Sequence, residues 1–136
     1  MSRKVPILFP VHPRTLGRLQ AAGIAMPGGI RTCEPLPYLT FLGLMAKARL
    51  VLTDSGGSQE ETTALGIPCL TLRENTERPV TVSGGTNRLV GTDRGEICRC
   101  VDRILKGDWP SGDSVPLWDG HASSRIVDVL ARTAPA

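Results

Sequence analysis

Ala48-Arg49-Leu50-Val51-Leu52-Thr53-Asp54-Ser55-Gly56-Gly57-Ser58-Gln59-Glu60-Glu61 takes the chain from an apolar run, through Ser-Gly-Gly, into a stretch of helical character. The order strand, glycine turn, helix is the local grammar of an α/β fold, and it builds an anion site at the junction. Glycines without a Cβ let backbone N–H groups approach a ligand closely, and a helix starting there points its unpaired N–H groups and positive dipole end at the same spot. Glu60 and Glu61, about one turn inside, suggest a ligand with hydroxyls to grip as well as phosphates. A purely structural reading stays open: Asp54 or Ser55 caps the helix, and the two glutamates are first-turn acids favoured by the dipole.

Working outward, strand-length apolar runs alternate with helix-length segments, with Gly, Pro and polar residues at the junctions. Pro6–Phe9 reads as a strand, Thr15–Ala22 as a helix, Ile30–Cys33 as a strand and Leu39–Ala46 as a helix started by Pro35 and Pro37. Leu50–Thr53 follows as a strand. A helix from about Ser58 ends at Gly66, and Ile67–Leu72 is a strand with Pro68 at its tolerated start. Arg73–Asn87 reads as a polar connection, Arg88–Val90 as an apolar step, and Arg94–Lys106 as a helix with Ile97, Val101, Ile104 and Leu105 on one face. A loop at 107–116 precedes a final amphipathic helix, Ala122–Arg132.

This alternation predicts a Rossmann-like, doubly wound parallel sheet in a single domain over 1–136. Ligands of such sheets bind beyond the carboxyl ends of the strands. That rule places His12, Ser55-Gly56-Gly57 and the segment Arg73–Pro79 on one edge. An arginine fork suits phosphate oxygens, and Arg78, fixed by the following Pro79, is a stronger candidate than Arg73.

Composition excludes several classes. A formal charge of +3, with acids and bases mixed throughout, gives no footprint for nucleic acid or an acidic membrane. No apolar run approaches the roughly 18 residues of a spanning helix. Met1–Pro6 lacks the apolar core of a signal peptide, so the expected location is the cytoplasm. Cys33, Cys69, Cys98 and Cys100 read as small buried or half-buried thiols. Cys98-x-Cys100 is not a zinc spacing, so neither a metal nor a cofactor is expected.

Longer stretches resemble one family. Asp54–Glu61, Leu65-Gly66-Ile67-Pro68, Leu72–Pro79 (Leu-Arg-Glu-Asn-Thr-Glu-Arg-Pro) and Gly85–Gly91 (Gly-Thr-Asn-Arg-Leu-Val-Gly) are similar to the C-terminal half of the non-hydrolysing UDP-N-acetylglucosamine 2-epimerases. Pro10-Val11-His12-Pro13, Leu36–Phe41 and Trp118-Asp119-Gly120 agree, so the resemblance covers nearly the whole chain. It departs at Val80, where a glutamate is usual, and at Ser83-Gly84.

The resemblance implies one lobe of a two-lobed, glycosyltransferase-B-type fold, here the UDP-binding C-terminal lobe without the N-terminal one. It implies that Ser55, Gly56 and Gly57 bind the diphosphate, Glu61 the ribose hydroxyls, Arg78 the phosphates, and Phe41 the surroundings of uracil. Phe41 lies in an apolar helical stretch and reads equally as core. His12 corresponds to a position near the sugar or a regulatory nucleotide-sugar site. The family reaction interconverts UDP-N-acetylglucosamine and UDP-N-acetylmannosamine by removing the C2 proton, eliminating UDP and adding it back to the other face. Its acid/base carboxylates belong to the other lobe, so this chain alone is expected to bind and not to turn over. Implied partners are the UDP-sugar, the missing lobe or a partner chain, and a second copy in full-length members, which serve cell-envelope polysaccharide synthesis. The alternatives are a non-catalytic UDP-sugar binding module and a glycosyltransferase donor-binding domain, the latter disfavoured by the Gln-Glu-Glu and Thr-Glu-Arg-Pro spacing.

Overall fold

A computed structural model describes residues 5–110, 112 and 115–133. The chain divides into two compact units, Met1–Lys47 and Ala48–Ala136.

The first unit runs β1 (Ile7–Pro10), α1 (Pro13–Ala21), β2 (Ile30–Cys33) and α2 (Tyr38–Met45). β1 and β2 pair in parallel, with Ile7 opposite Ile30 and Pro10 opposite Cys33. α1 starts two residues earlier than its periodicity suggests. Pro13 at the first helical position has the φ a helix needs, and His12 caps the helix, its Nδ1 accepting from the Arg14 N–H at 3.2 Å. Gly23, at φ +66°, ends the helix. Pro37 stands at the N-cap of α2.

The second unit runs β3 (Val51–Thr53), α3 (Gly56–Leu65), β4 (Cys69–Thr71), α4 (Pro79–Ser83), β5 (Asn87–Leu89), α5 (Arg94–Leu105) and α6 (Ala122–Thr133). Its three strands are parallel in the order β3-β4-β5, with Val51, Cys69 and Asn87 in register. The ladder therefore comes in two pieces, two strands in the first unit and three in the second, where the sequence suggests one continuous run. Central β4 is completely buried through Cys69, Leu70 and Thr71, as a parallel strand covered on both faces should be. Gly66 ends α3 in the left-handed conformation at φ +68°. On α5, Cys100, Val101 and Ile104 are buried while Ile97 and Leu105 are half-buried. Asp93 caps this helix, accepting from the Glu96 N–H at 2.6 Å. The α6 periodicity is as read, yet Ile126, Val127, Val129 and Leu130 are all exposed.

The polar connection 73–87 is not wholly irregular: it contains the single-turn helix α4, started by Pro79 at its first position. Five residues are too few to show a periodicity, which is why the pattern gives no sign of it. No helix of the described residues is long and apolar enough to cross a membrane.

All four cysteines are free. Burial pushes the Cys69 thiol above its ordinary pKa, and burial together with the neighbouring Glu96 carboxylate does the same for Cys100. Thiolate is the reactive form. A thiol-specific reagent in excess at neutral pH should therefore label Cys33 and Cys98 and spare Cys69 and Cys100 until denaturant is added, as peptide mass mapping would show.

Candidate functional site

The loops after the adjacent strands β3 and β4 leave the sheet at the same carboxyl edge, which brings the start of α3 and the 72–78 segment together. Two features position the first. Thr53, the last residue of β3, accepts the Ser55 N–H on its hydroxyl at 3.0 Å, which turns the chain. Ser55 is the N-cap in extended geometry (φ −85°, ψ 130°), and its hydroxyl makes no capping bond.

The structural reading of this stretch holds only in naming Ser55 as the N-cap residue. Neither Asp54 nor Ser55 caps α3 through its side chain, the first turn holds no acid, and the helix begins at Gly56 rather than near Ser58. The first N–H of the segment with an intrahelical acceptor is that of Gln59, which reaches Ser55 O at 3.3 Å. The N–H groups of Gly56, Gly57 and Ser58 are left at the positive end of the helix dipole.

The glycines of this unit sort by what a Cβ would meet. At Gly85 it would lie 2.6 Å from Thr63 Oγ1 and 2.7 Å from Thr63 Cγ2, and at Gly91, where φ is +55°, it would press into the Glu74 carboxyl. Those two glycines serve packing and backbone geometry. At Gly56 a Cβ would touch nothing within 4 Å, and at Gly57 only Ser55 Oγ at 3.9 Å, while both residues have ordinary helical backbone. Folding thus has no use for glycine at 56 and 57, and glycine disfavours a helix by about 0.5–1 kcal/mol relative to alanine. What the two glycines leave is open backbone facing outward at a helix N-terminus, the requirement of a close-approaching anion.

Beneath this surface lies a closed ring of hydrogen bonds. Asn87 Nδ2 donates to Gln59 Oε1 at 3.2 Å and to Thr81 Oγ1 at 3.1 Å. Thr76 Oγ1 donates to the same Gln59 oxygen at 2.6 Å and accepts the Arg78 N–H at 2.9 Å. Thr81 Oγ1 donates to Arg78 O at 2.7 Å, and Thr71 Oγ1 donates to Asn87 Oδ1 at 2.6 Å. Both backbone polar groups of Arg78 are thereby tied to α3, β4, α4 and β5 through buried side chains. Gln59, Thr71 and Thr81 are fully buried, and Asn87 is 5% exposed. Sequence reasoning treated Gln59, Thr76 and Asn87 only as letters of family motifs; their joint role has no local signal because the partners are 17 and 28 residues apart.

Arg78 itself is half-buried at the N-cap of α4. Its Nε lies 2.8 Å from Glu60 Oε1, and Nη1 makes a long bond of 3.3 Å to Glu77 O. Arg73, the weaker candidate, pairs with Glu77 at 3.6 Å. Glu61, one residue on from Glu60 and so about 100° around the helix, makes no ion pair among the described residues. Of the other candidates, His12 is an exposed helix cap and Phe41 a half-buried residue of α2, both in the first unit. Among the described residues no cluster of His, Cys, Asp or Glu is suited to a metal ion.

The model of the UDP-N-acetylglucosamine 2-epimerase family matches residues 1–131. The chain belongs to that family. It is 43% identical over 130 residues to the UDP-N-acetylglucosamine 2-epimerase of Methanococcus maripaludis, covering 91% of this chain and 34% of that one. Against the Escherichia coli K12 enzyme of the same name, identity is 40% over 139 residues, covering 93% and 35%. The crystal structure of the Methanocaldococcus jannaschii UDP-GlcNAc 2-epimerase in complex with UDP-GlcNAc and UDP superposes with a TM-score of 0.81 at 40% identity, over 93% of this chain and 36% of that one. The fold is accordingly α/β and Rossmann-like, of the type found in one lobe of these two-lobed enzymes. The chain spans about a third of the length of the relatives it matches.

Asn87→Ala removes three hydrogen bonds at once and strands the Thr71 hydroxyl. It should lower unfolding free energy by about 2–3 kcal/mol, read as a shift of the urea midpoint at unchanged slope.

Proposed function

We propose that this chain is the UDP-binding portion of a UDP-N-acetylglucosamine 2-epimerase, an isomerase that interconverts UDP-N-acetylglucosamine and UDP-N-acetylmannosamine in the cytoplasm for cell-envelope polysaccharide synthesis. The open glycines at the start of α3 carry the reading: the backbone is bared where the fold has no need of it, at a positive helix terminus, on the helix whose Glu60 pairs with Arg78. The N–H groups of Gly56 and Gly57, with the free Ser55 hydroxyl, bind the diphosphate. Arg78 adds a fixed cation. Glu61, without a cation of its own, accepts from the two ribose hydroxyls. Phe41 lies near uracil, and His12 near the sugar or a regulatory nucleotide-sugar site. The complete enzyme pairs this portion with a second lobe and works as a homodimer.

Chemistry at C2 requires a base near that carbon and groups acting on both faces of the sugar. Glu60 is engaged with Arg78 and Glu61 points elsewhere on the helix, so this portion holds the departing UDP while the other lobe moves the proton. The 136-residue chain incubated with UDP-N-acetylglucosamine in deuterated water should incorporate no deuterium at C2. Turnover of about 1 s⁻¹ or more would assign the chemistry to residues read here as binding groups.

Calorimetry should show UDP binding more tightly than ADP or free N-acetylglucosamine. Arg78→Ala should weaken UDP binding by about 1.5–3 kcal/mol, as loss of a charge-assisted contact, and Glu61→Ala should abolish the preference for ribose over deoxyribose nucleotides. Gly56→Ala is the sharpest case. It should leave the melting temperature unchanged or raise it, because alanine is the better helix former, while weakening UDP binding by about tenfold or more. Parent-like UDP binding by Gly56→Ala would count against the diphosphate lying on this backbone.

A further inference from the structure

Glu60 poses a question that the nucleotide reading leaves open. A carboxylate beside a diphosphate site repels the ligand, and here it also engages the arginine assigned to that ligand. The geometry points to its purpose: we propose that Glu60 is a positioning residue, which holds the Arg78 guanidinium by its Nε edge and so leaves the Nη edge to the diphosphate. This inference rests on the nucleotide reading above.

Three observations support it. First, Glu60 Oε1 meets Nε, the one guanidinium nitrogen set back along the side chain, at 2.8 Å as an ion pair without hydrogen-bond geometry, and that atom is buried although the side chains of both partners are 42% exposed. Nη2 makes no hydrogen bond among the described residues, and Nη1 makes only the 3.3 Å bond to Glu77 O. Second, the Arg78 backbone is immobilised independently, its N–H on Thr76 Oγ1 and its carbonyl on the Thr81 hydroxyl. With the backbone fixed by the buried ring, side-chain rotation is the remaining freedom, and Glu60 restrains it. Third, Glu60 lies on α3 itself. Four residues along a helix rise about 6 Å, so the carboxylate anchors the guanidinium about one turn from the N–H groups of Gly56. A planar fork held at one edge is preorganised for bidentate contact with an oxyanion, whereas a freely rotating one must be ordered at the moment of binding.

Surface ion pairs add little to stability, so the effect of Glu60 should appear in binding and hardly at all in folding. UDP binding is measured by calorimetry on the 136-residue chain, on E60A, E60Q, R78A and E60A/R78A, with melting curves of each. In the free proteins the motion of the Arg78 Nε–H is followed by NMR relaxation. The expected result is about a tenfold loss of UDP affinity in E60A and in E60Q alike, since both remove the charge that holds the guanidinium, and no further loss from E60A once Arg78 is gone. Melting temperatures should stay within a few degrees of the parent. The order parameter of the Arg78 Nε–H should be high in the parent and fall in E60A and E60Q. Parent-like or tighter binding by E60A overturns the inference and makes Glu60 a competitor of the ligand. A further loss from E60A in the R78A background overturns it as well, since Glu60 would then act on the ligand without Arg78. A parent chain that binds no UDP overturns the nucleotide reading, and this inference with it.

Discussion

The buried amide of Asn87, shared between Gln59 and Thr81, is the constraint on which the rest of the second unit depends. It fixes α3 and α4 to β5 while Thr71 fixes β5 to β4, and the ring it completes sets both backbone groups of Arg78. Buried polar groups are expensive when unpaired and specific when paired. An apolar contact of the same size would hold the elements together with little directional preference. The hydrogen-bonded ring holds them in one register, because each member has few geometries that satisfy it. The binding surface can consequently be small and exposed, since its rigidity comes from below.

That arrangement explains which parts of the protein are legible in the chain. Elements fixed by local chemistry read off directly: β2 at Ile30–Cys33, the end of α3 at Gly66, and α5, with its apolar stripe, each match their expected bounds to within a residue. The start of α3 is displaced by two residues because glycine's low helix propensity argues for a turn, while the ladder from Ser55 carries both glycines into the helix. α4 escapes notice because one turn has no period. The pairing of strands into two and three is a tertiary outcome that no local pattern encodes.

The candidate site divides along the same line. Ser55, Gly56, Gly57 and Arg78 are visible as residue types because the chemistry of anion recognition uses few kinds of group. Glu60 and Glu61 look equivalent in the sequence, two adjacent carboxylates on one helix, and become distinct only in three dimensions. A rotation of about 100° between neighbours gives the first a cation and leaves the second without one among the described residues. Gln59, next to both, is completely buried. Three consecutive polar residues thus differ in their surroundings: Gln59 is hydrogen-bonded in the core, Glu60 is paired with Arg78, and Glu61 has no ion pair among the described residues.

The balance of charge at this edge also bears on the separation of binding from chemistry. On the function proposed above, the site must stabilise a departing diphosphate without holding it so firmly that the return step is lost. Backbone N–H groups and a helix terminus suit that demand, because they are fixed dipoles that need no reorganisation as negative charge develops. An unrestrained arginine would have to be ordered at the moment of binding. One restrained by a neighbouring carboxylate offers its donors in a set direction. On the reading proposed above, the glycines supply access, the helix supplies field, and the Glu60–Arg78 pair gives it direction. Proton transfer can then be left to groups elsewhere, since nothing in this arrangement requires a titrating residue within it.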